Sequence, residues 1–152
     1  MRTTLPSRPS PHALQRIRVL IADPDHQLLA EYRTHSRKGF EVITARDGLE
    51  CVERLREQAP DVLVLEPELP WGGGDGVLAM MHDELNLADV PVMVLSSCRD
   101  PALIGRVGRF PIRDYRTKPL SATQLVSRVH SLLENQSPSS LDSAGEPSVW
   151  RL

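Results

Sequence analysis

The chain has 152 residues, 40% hydrophobic and 25% charged, with a net charge of −2. That length suits one domain with a real core, since domains of about 100–150 residues are commonest. No apolar run approaches the roughly 18 residues of a membrane helix. Helix-turn-helix, basic-zipper and RNA-motif signatures are absent, which argues against nucleic acid as a partner.

The charge is unevenly spread. From Glu41 to Asp89 twelve acids face three arginines, a net −9, whereas from Arg99 to Arg128 seven cations face two acids, a net +5. Such asymmetry bears on partners more than on fold. The segment Met1 to Pro11 has Pro and Ser breakers where a signal peptide has an apolar stretch, so a cytoplasmic location is expected. Cys51 and Cys98 lack Cys-x-x-Cys spacing and read as structural thiols. His12, His26, His35, His82 and His130 show no metal-ligand spacing.

Residues 1–14, with Pro6, Pro9 and Pro11, hold too little apolar content for structure and read as a flexible arm. Ile17 to Ala22 is a short apolar strand. Gln27 to Lys38 follows as a helix, with Leu28, Leu29 and Tyr32 at helical spacing before Gly39 stops it. Phe40 to Thr44 is the second strand. Asp47 caps a helix through Gln58, with Val52 and Leu55 inward, and Pro60 precedes the strand that ends at Glu66.

That strand, Val62-Leu63-Val64-Leu65, is the most continuous apolar run of the chain, as expected when both faces are buried. Glu66 therefore sits beyond the carboxyl end of a central strand, where open α/β sheets bind ligands. Gly72-Gly73-Gly74 reads as a flexible loop, because a phosphate-cradling loop needs a following Lys-Ser or Lys-Thr. Trp71 beside it is either a partner anchor or a lid packed over the crevice. A third helix covers Val77 to Leu85.

Val90 to Leu95 is another buried strand, followed by a short helix, Ala102 to Val107, undermined by Gly105, Gly108 and Pro111. Ile112 to Arg116 is the fifth strand. Ser121 and Gln124 form a capping box for the last helix, whose Leu125, Val126, Val129, Leu132 and Leu133 make one apolar stripe. The folded domain is expected over residues 15–135, with residues 136–152 a flexible tail. Five strands alternating with five helices imply an α/β doubly wound parallel sheet in three layers.

Several motifs, in order and near family spacing, resemble the receiver domain of a two-component response regulator. They are Val-Leu-Ile-Ala-Asp-Pro-Asp at 19–25, Asp-Val-Leu-Val-Leu-Glu-Pro-Glu-Leu-Pro at 61–70, Asp75-Gly76, Pro91 to Ser97, and Tyr115-Arg116-Thr117-Lys118-Pro119. The resemblance implies a flavodoxin-like strand order, 2-1-3-4-5. It also implies that an aspartate at the end of the third strand attacks a phosphoryl donor, with magnesium held by neighbouring acids.

The chain departs from that pattern at two points. Glu66 holds the phosphoacceptor position, one methylene too long for the usual in-line geometry. Pro24 replaces the second of the paired acids and offers no carboxylate. Asp23 keeps the first acidic position, with Asp25 and Glu68 as stand-ins; no metal is expected, Asp23 and Glu68 being its only candidate ligands. Ser96, Tyr115 and Lys118 keep the switch and phosphate-contact positions, the Lys118–Pro119 bond is cis by resemblance, and the glycine loop is longer than usual.

For Glu66 two readings stand level: a built-in substitute for the phosphorylated state that reaches Lys118 and Ser96, or a relic acid paired with Lys118. Arg106, Arg109, Arg113 and Arg116 lie on the face with which the family docks partners, against the plainer reading of a solvated basic surface. The leading expectation is an atypical receiver, not an enzyme: a stand-alone interaction module without the normal phosphorylation. Its partner would be a histidine kinase or a downstream effector, with a homodimer through the fourth-helix to fifth-helix face as a further option. The alternative is a phosphoryl-accepting regulator with unusual metal ligands. A third reading is a metal-dependent phosphohydrolase built on Glu66-Pro67-Glu68.

Overall fold

The computed structural model describes residues 16–97 and 99–135. The expected arm and tail, and Cys98, lie outside the described residues. Strands β1 (Ile17–Ala22), β2 (Phe40–Ala45), β3 (Val62–Leu65), β4 (Val92–Ser96) and β5 (Asp114–Thr117) form one parallel sheet in the order β2-β1-β3-β4-β5. Helices α1 (His26–Ser36), α2 (Gly48–Gln58), α3 (Gly73–Asp83), α4 (Pro101–Val107) and α5 (Ala122–Glu134) make the crossovers. This is the flavodoxin-like three-layer arrangement expected.

Alternation along the strands divides the core between the two faces of the sheet. Leu20, Ala22, Leu63, Leu65, Val92 and Val94 pack with Cys51 and Leu55 of α2, Leu78 and Met81 of α3, and Leu103 of α4. Val19, Ile21, Val62, Val64, Met93 and Leu95 pack instead with Leu29 and Tyr32 of α1 and Leu125, Val129 and Leu132 of α5. Both faces of β3 are therefore covered, which is why its sequence runs apolar without alternation.

Helix starts follow capping chemistry. Asp47 accepts from the Glu50 N–H at 2.8 Å and begins α2. The capping box of α5 is complete, with Gln124 N donating to Ser121 Oγ at 3.1 Å and Ser121 N to Gln124 Oε1 at 2.9 Å. Asp25 accepts from Gln27 N and Leu28 N at 3.0 and 3.2 Å, so α1 begins at His26, one residue earlier than its periodicity indicates.

The third helix corrects the sequence reading. It begins at Gly73, not Val77, so the triple glycine is not a flexible loop: Gly72 is the cap, and Gly73 and Gly74 form the first turn. Gly74 N donates to Pro67 O at 2.9 Å, and a β-carbon at Gly74 would lie 2.7 Å from Pro67 Cα. Glycine is required there by close packing, a tertiary reason that local propensity does not carry. At the far end α3 stops at Asp83, short of the expected Leu85. Strand β5 begins at Asp114, two residues later than expected, although Arg113 N still donates to Val92 O at 2.9 Å.

Candidate functional site

The parallel ladder carries three candidate residues to one edge of the sheet. Register pairs Ala22 with Ala45 and with Leu65, and Ser96 with Thr117. Beyond the assigned strands, Asp23 N donates to Ala45 O at 2.9 Å, Glu66 N to Ala22 O at 3.0 Å and Lys118 N to Ser96 O at 2.9 Å. Asp23, Glu66 and Lys118 are thus fixed by backbone pairing at the carboxyl ends of β1, β3 and β5, and Ser96 is buried at the end of β4.

Two carboxylates and one ammonium meet there. Asp23 and Glu66 are 2% and 3% exposed. Lys118 Nζ donates to Asp23 Oδ2 at 2.6 Å and lies 2.9 Å from Glu66 Oε2. The second contact lies off the hydrogen-bonding direction, so it acts as an ion pair rather than an aligned hydrogen bond. Burial alone pushes the Lys118 ammonium down; the hydrogen bond to Asp23, the close Glu66 carboxylate and the charges of both outweigh it and raise its pKa above the ordinary lysine value.

The two acids are held in matching ways. Asp23-Pro24-Asp25 and Glu66-Pro67-Glu68 are both acid-proline-acid segments at strand ends. Asp23 Oδ1 accepts from Asp25 N at 2.8 Å and Glu66 Oε1 from Glu68 N at 3.2 Å. Proline has no N–H and a fixed φ, so the first donor the acid meets lies two residues on. Each acid folds back on its own chain with one oxygen and presents the other to Lys118.

The expected residues divide accordingly. Glu66, Asp23 and Lys118 come together, and Tyr115 is half-buried against the α3–α4 side of the core. Asp25 is exposed and caps α1 through Oδ1, and none of its side-chain contacts is with Asp23, Glu66 or Lys118. Glu68 is exposed, its backbone N–H rather than its carboxylate serving the site. Trp71 is 72% exposed, so it is not a lid. Arg109 and Arg113 are exposed, while Arg116 is paired with Asp114 at 3.1 Å and Arg106 with Asp75 of α3 at 3.7 Å. The Lys118–Pro119 bond is cis.

Tyr32 is a supporting residue that sequence reasoning assigned only to the core. Its hydroxyl donates to Leu120 O at 2.6 Å, fastening α1 to the segment after Lys118. Burial, with the nearby charges of Glu31 and Asp23, pushes this phenol up to about 12. A buried tyrosine normally needs a hydroxyl partner, but nothing in the local sequence names one 88 residues away.

Magnesium, which the resemblance implies, finds a poor donor set here. Each of the four oxygens of Asp23 and Glu66 already faces a donor of the chain, and an ammonium sits between the two groups. Pro24 supplies no carboxylate. Among the described residues no cluster of three or more His, Cys, Asp or Glu has metal-binding geometry. Magnesium is usually held by one or two carboxylates and its own waters, so binding here would have to displace the Lys118 ammonium from Asp23 and Glu66.

A doubly wound sheet with acids and a lysine at the ends of β1, β3 and β5 defines a receiver-type signalling module. The chain belongs to the response regulator receiver domain family, whose model matches residues 19–130. It is 36% identical over 130 residues to the transcriptional regulatory protein PrrA of Mycobacterium tuberculosis, covering 84% of this chain and 54% of PrrA. It is 29% identical over 116 residues to the sensor histidine kinase TmoS of Ectopseudomonas mendocina, covering 76% of this chain and 12% of TmoS. The chain thus spans about half the length of PrrA.

Among solved structures, the receiver domain of the Francisella response regulator 1452 matches with a TM-score of 0.69 at 26% identity, covering 80% of this chain and 100% of that one. The chemotaxis response regulator CheY4 of Vibrio cholerae shares the fold, with a TM-score of 0.71 at 18% identity over 78% of this chain and 100% of its own. Among the described residues no helix is long and apolar enough to cross a membrane.

Proposed function

We propose that this receiver works as a protein-interaction module whose pocket is held by its own charges, without the normal aspartyl phosphorylation and without magnesium. The carrying observation is the Lys118 ammonium, 2.6 Å from Asp23 and 2.9 Å from Glu66, with both carboxylates buried. Glu66 gives Lys118 an anionic contact with no phosphate present. Its one charge replaces the roughly two of an acyl phosphate, so it is a partial substitute. Its partner is a histidine kinase or a downstream effector, with the basic α4–β5 surface of Arg106, Arg109, Arg113 and Arg116 as one docking face. A homodimer through that face belongs to the same reading.

Family membership favours a second reading, a phosphoryl-accepting regulator that uses unusual ligands. The relatives matched are named as response regulators, transcriptional regulators and kinases. Incubation with a small phosphodonor and magnesium, followed by intact-mass measurement, separates the two. The proposal expects no adduct on the native chain and a gain of one in the Pro24→Asp/Glu66→Asp variant. A stable phosphoryl adduct on Glu66 or Asp23 of the native chain supports the second reading and overturns the first. The phosphohydrolase reading is the weaker one, because its paired acids need a metal, and Glu68 is exposed and meets Glu66 through its backbone N–H.

A further inference from the structure

Two surface features at different edges of the domain fit each other. One is a knob. Trp71 is 72% exposed and Leu49, at the start of α2, is 67% exposed. They are neighbours because Gly48 N donates to Pro70 O at 2.8 Å, and a β-carbon at Gly48 would lie 2.1 Å from Trp71 O. Trp71 holds φ at +58°, a left-handed conformation that a bulky side chain rarely adopts. The loop is fastened on both sides of it, by Gly48 to Pro70 and by Gly74 to Pro67. An indole held out rigidly from a strained, tethered turn is a preorganised anchor.

The other is a hole. Between β5 and α5 lies a cleft of about 410 Å³ whose lining includes Leu120, the hydroxyl residues Thr123 and Ser127, and Arg116 and Arg128. Arg116 is paired with Asp114, but among the described residues Arg128 has no carboxylate partner. Leu120 is the one apolar residue of this lining, set among Thr123, Gln124 and Ser127 and flanked by two guanidinium groups, and an indole ring attracts a cation to its face. The surroundings match in sign. Exposed Glu68 lies three residues from Trp71 and exposed Glu53 one helical turn from Leu49, whereas the cleft lining carries two arginines and no acid.

We infer that a second copy of this chain occupies this cleft, seating its Trp71 between Arg116 and Arg128, so that copies associate head to tail. The contact is heterologous: each copy carries one knob and one hole, and nothing in it closes a pair. It shares Arg116 with the α4–β5 surface but differs from a two-fold dimer there in joining unlike surfaces of the two copies. It is also independent of the Glu66 reading, so either can fail alone.

Sedimentation velocity of the full chain, from micromolar to millimolar concentration at low salt, tests it. The mean mass is expected to pass beyond a dimer as concentration rises, and to fall back in molar salt, where the Debye length is only about 3 Å. Trp71→Gly and Arg128→Glu, checked for native circular dichroism, should each weaken association at least about tenfold, as expected for a central aromatic anchor and its partner. Leu49→Lys should act likewise, which guards against a fault particular to the Trp71 turn.

The deciding arm mixes Trp71→Gly with Arg128→Glu. One variant keeps the hole and the other the knob, so the mixture should form one-to-one dimers and stop. A native chain that stays monomeric throughout overturns the inference, as does undiminished association of Trp71→Gly and Leu49→Lys. A mixture that stays monomeric overturns it too.

Discussion

Lys118→Met tests the energetics of the site most directly. The substitution keeps the aliphatic stem and removes the ammonium, leaving Asp23 and Glu66 buried at 2% and 3% exposure with no cation between them. Removing one partner of a buried ion pair costs about 3–5 kcal/mol, because the remaining charge is uncompensated. The Lys118 side chain is 19% exposed, so water screens part of the interaction and about 3 kcal/mol is expected. Urea unfolding at neutral pH, with linear extrapolation, measures it.

The companion variant makes the result diagnostic. Glu66→Gln in the Lys118→Met background removes one stranded charge and should recover about 1–2 kcal/mol, a coupling typical of residues in one network. A loss below about 1 kcal/mol, the range of exposed surface pairs, with no recovery in the double variant, refutes the argument.

Three further outcomes are expected. Gly48→Ala should destabilise by about 1–3 kcal/mol, since its β-carbon would meet Trp71 O at 2.1 Å and force the loop off α2; unchanged urea stability would contradict this close approach. Ser121→Ala should lose about 1 kcal/mol by opening the α5 capping box, with thermal unfolding as the measure and no loss as the contrary result. Stability should fall above about pH 10, where Tyr32 and Lys118 would titrate in the unfolded chain. Both groups have folded pKa values raised above their unfolded ones, to about 12 for Tyr32. Their contributions are therefore whole below the unfolded values and lost as pH rises through the folded ones. Tyr32→Phe should show a shallower alkaline decline, and an identical slope would remove Tyr32 from the account.

The parts of the fold legible in the sequence are those written in local chemistry. Asp47, Ser121 with Gln124, and the run Val62–Leu65 announce a cap, a capping box and a doubly buried strand. Local reasoning stops where a residue's role is set by something distant. The start of α3 depends on Gly74 lying against Pro67, and Tyr32 depends on a carbonyl 88 residues away. Lys118 and Asp23 are 95 residues apart, so motif resemblance, not periodicity, brought them together. The cap role of Asp25 is legible: an acid directly before a helical pattern is a cap by default, and its Oδ1 accepts from Gln27 N and Leu28 N.

Pro24 and the extra methylene of Glu66 belong to one device. Read singly, each is a departure from the family pattern, one at an acid position and the other at the end of β3. Together with Pro67 they build two similar turns, in which an acid at a strand end accepts the N–H two residues on and turns its second oxygen to the same ammonium. A second acid at position 24 would add negative charge to a pocket that already holds two buried carboxylates against one lysine. A proline there adds none, and its fixed φ favours the turn. The longer arm of Glu66 spans both its own loop and Lys118, whose backbone is already tied to Ser96 at the end of β4. The pocket thus has cation, anion and loop closure from the chain itself, which supports the proposal that it holds one arrangement without magnesium or phosphate.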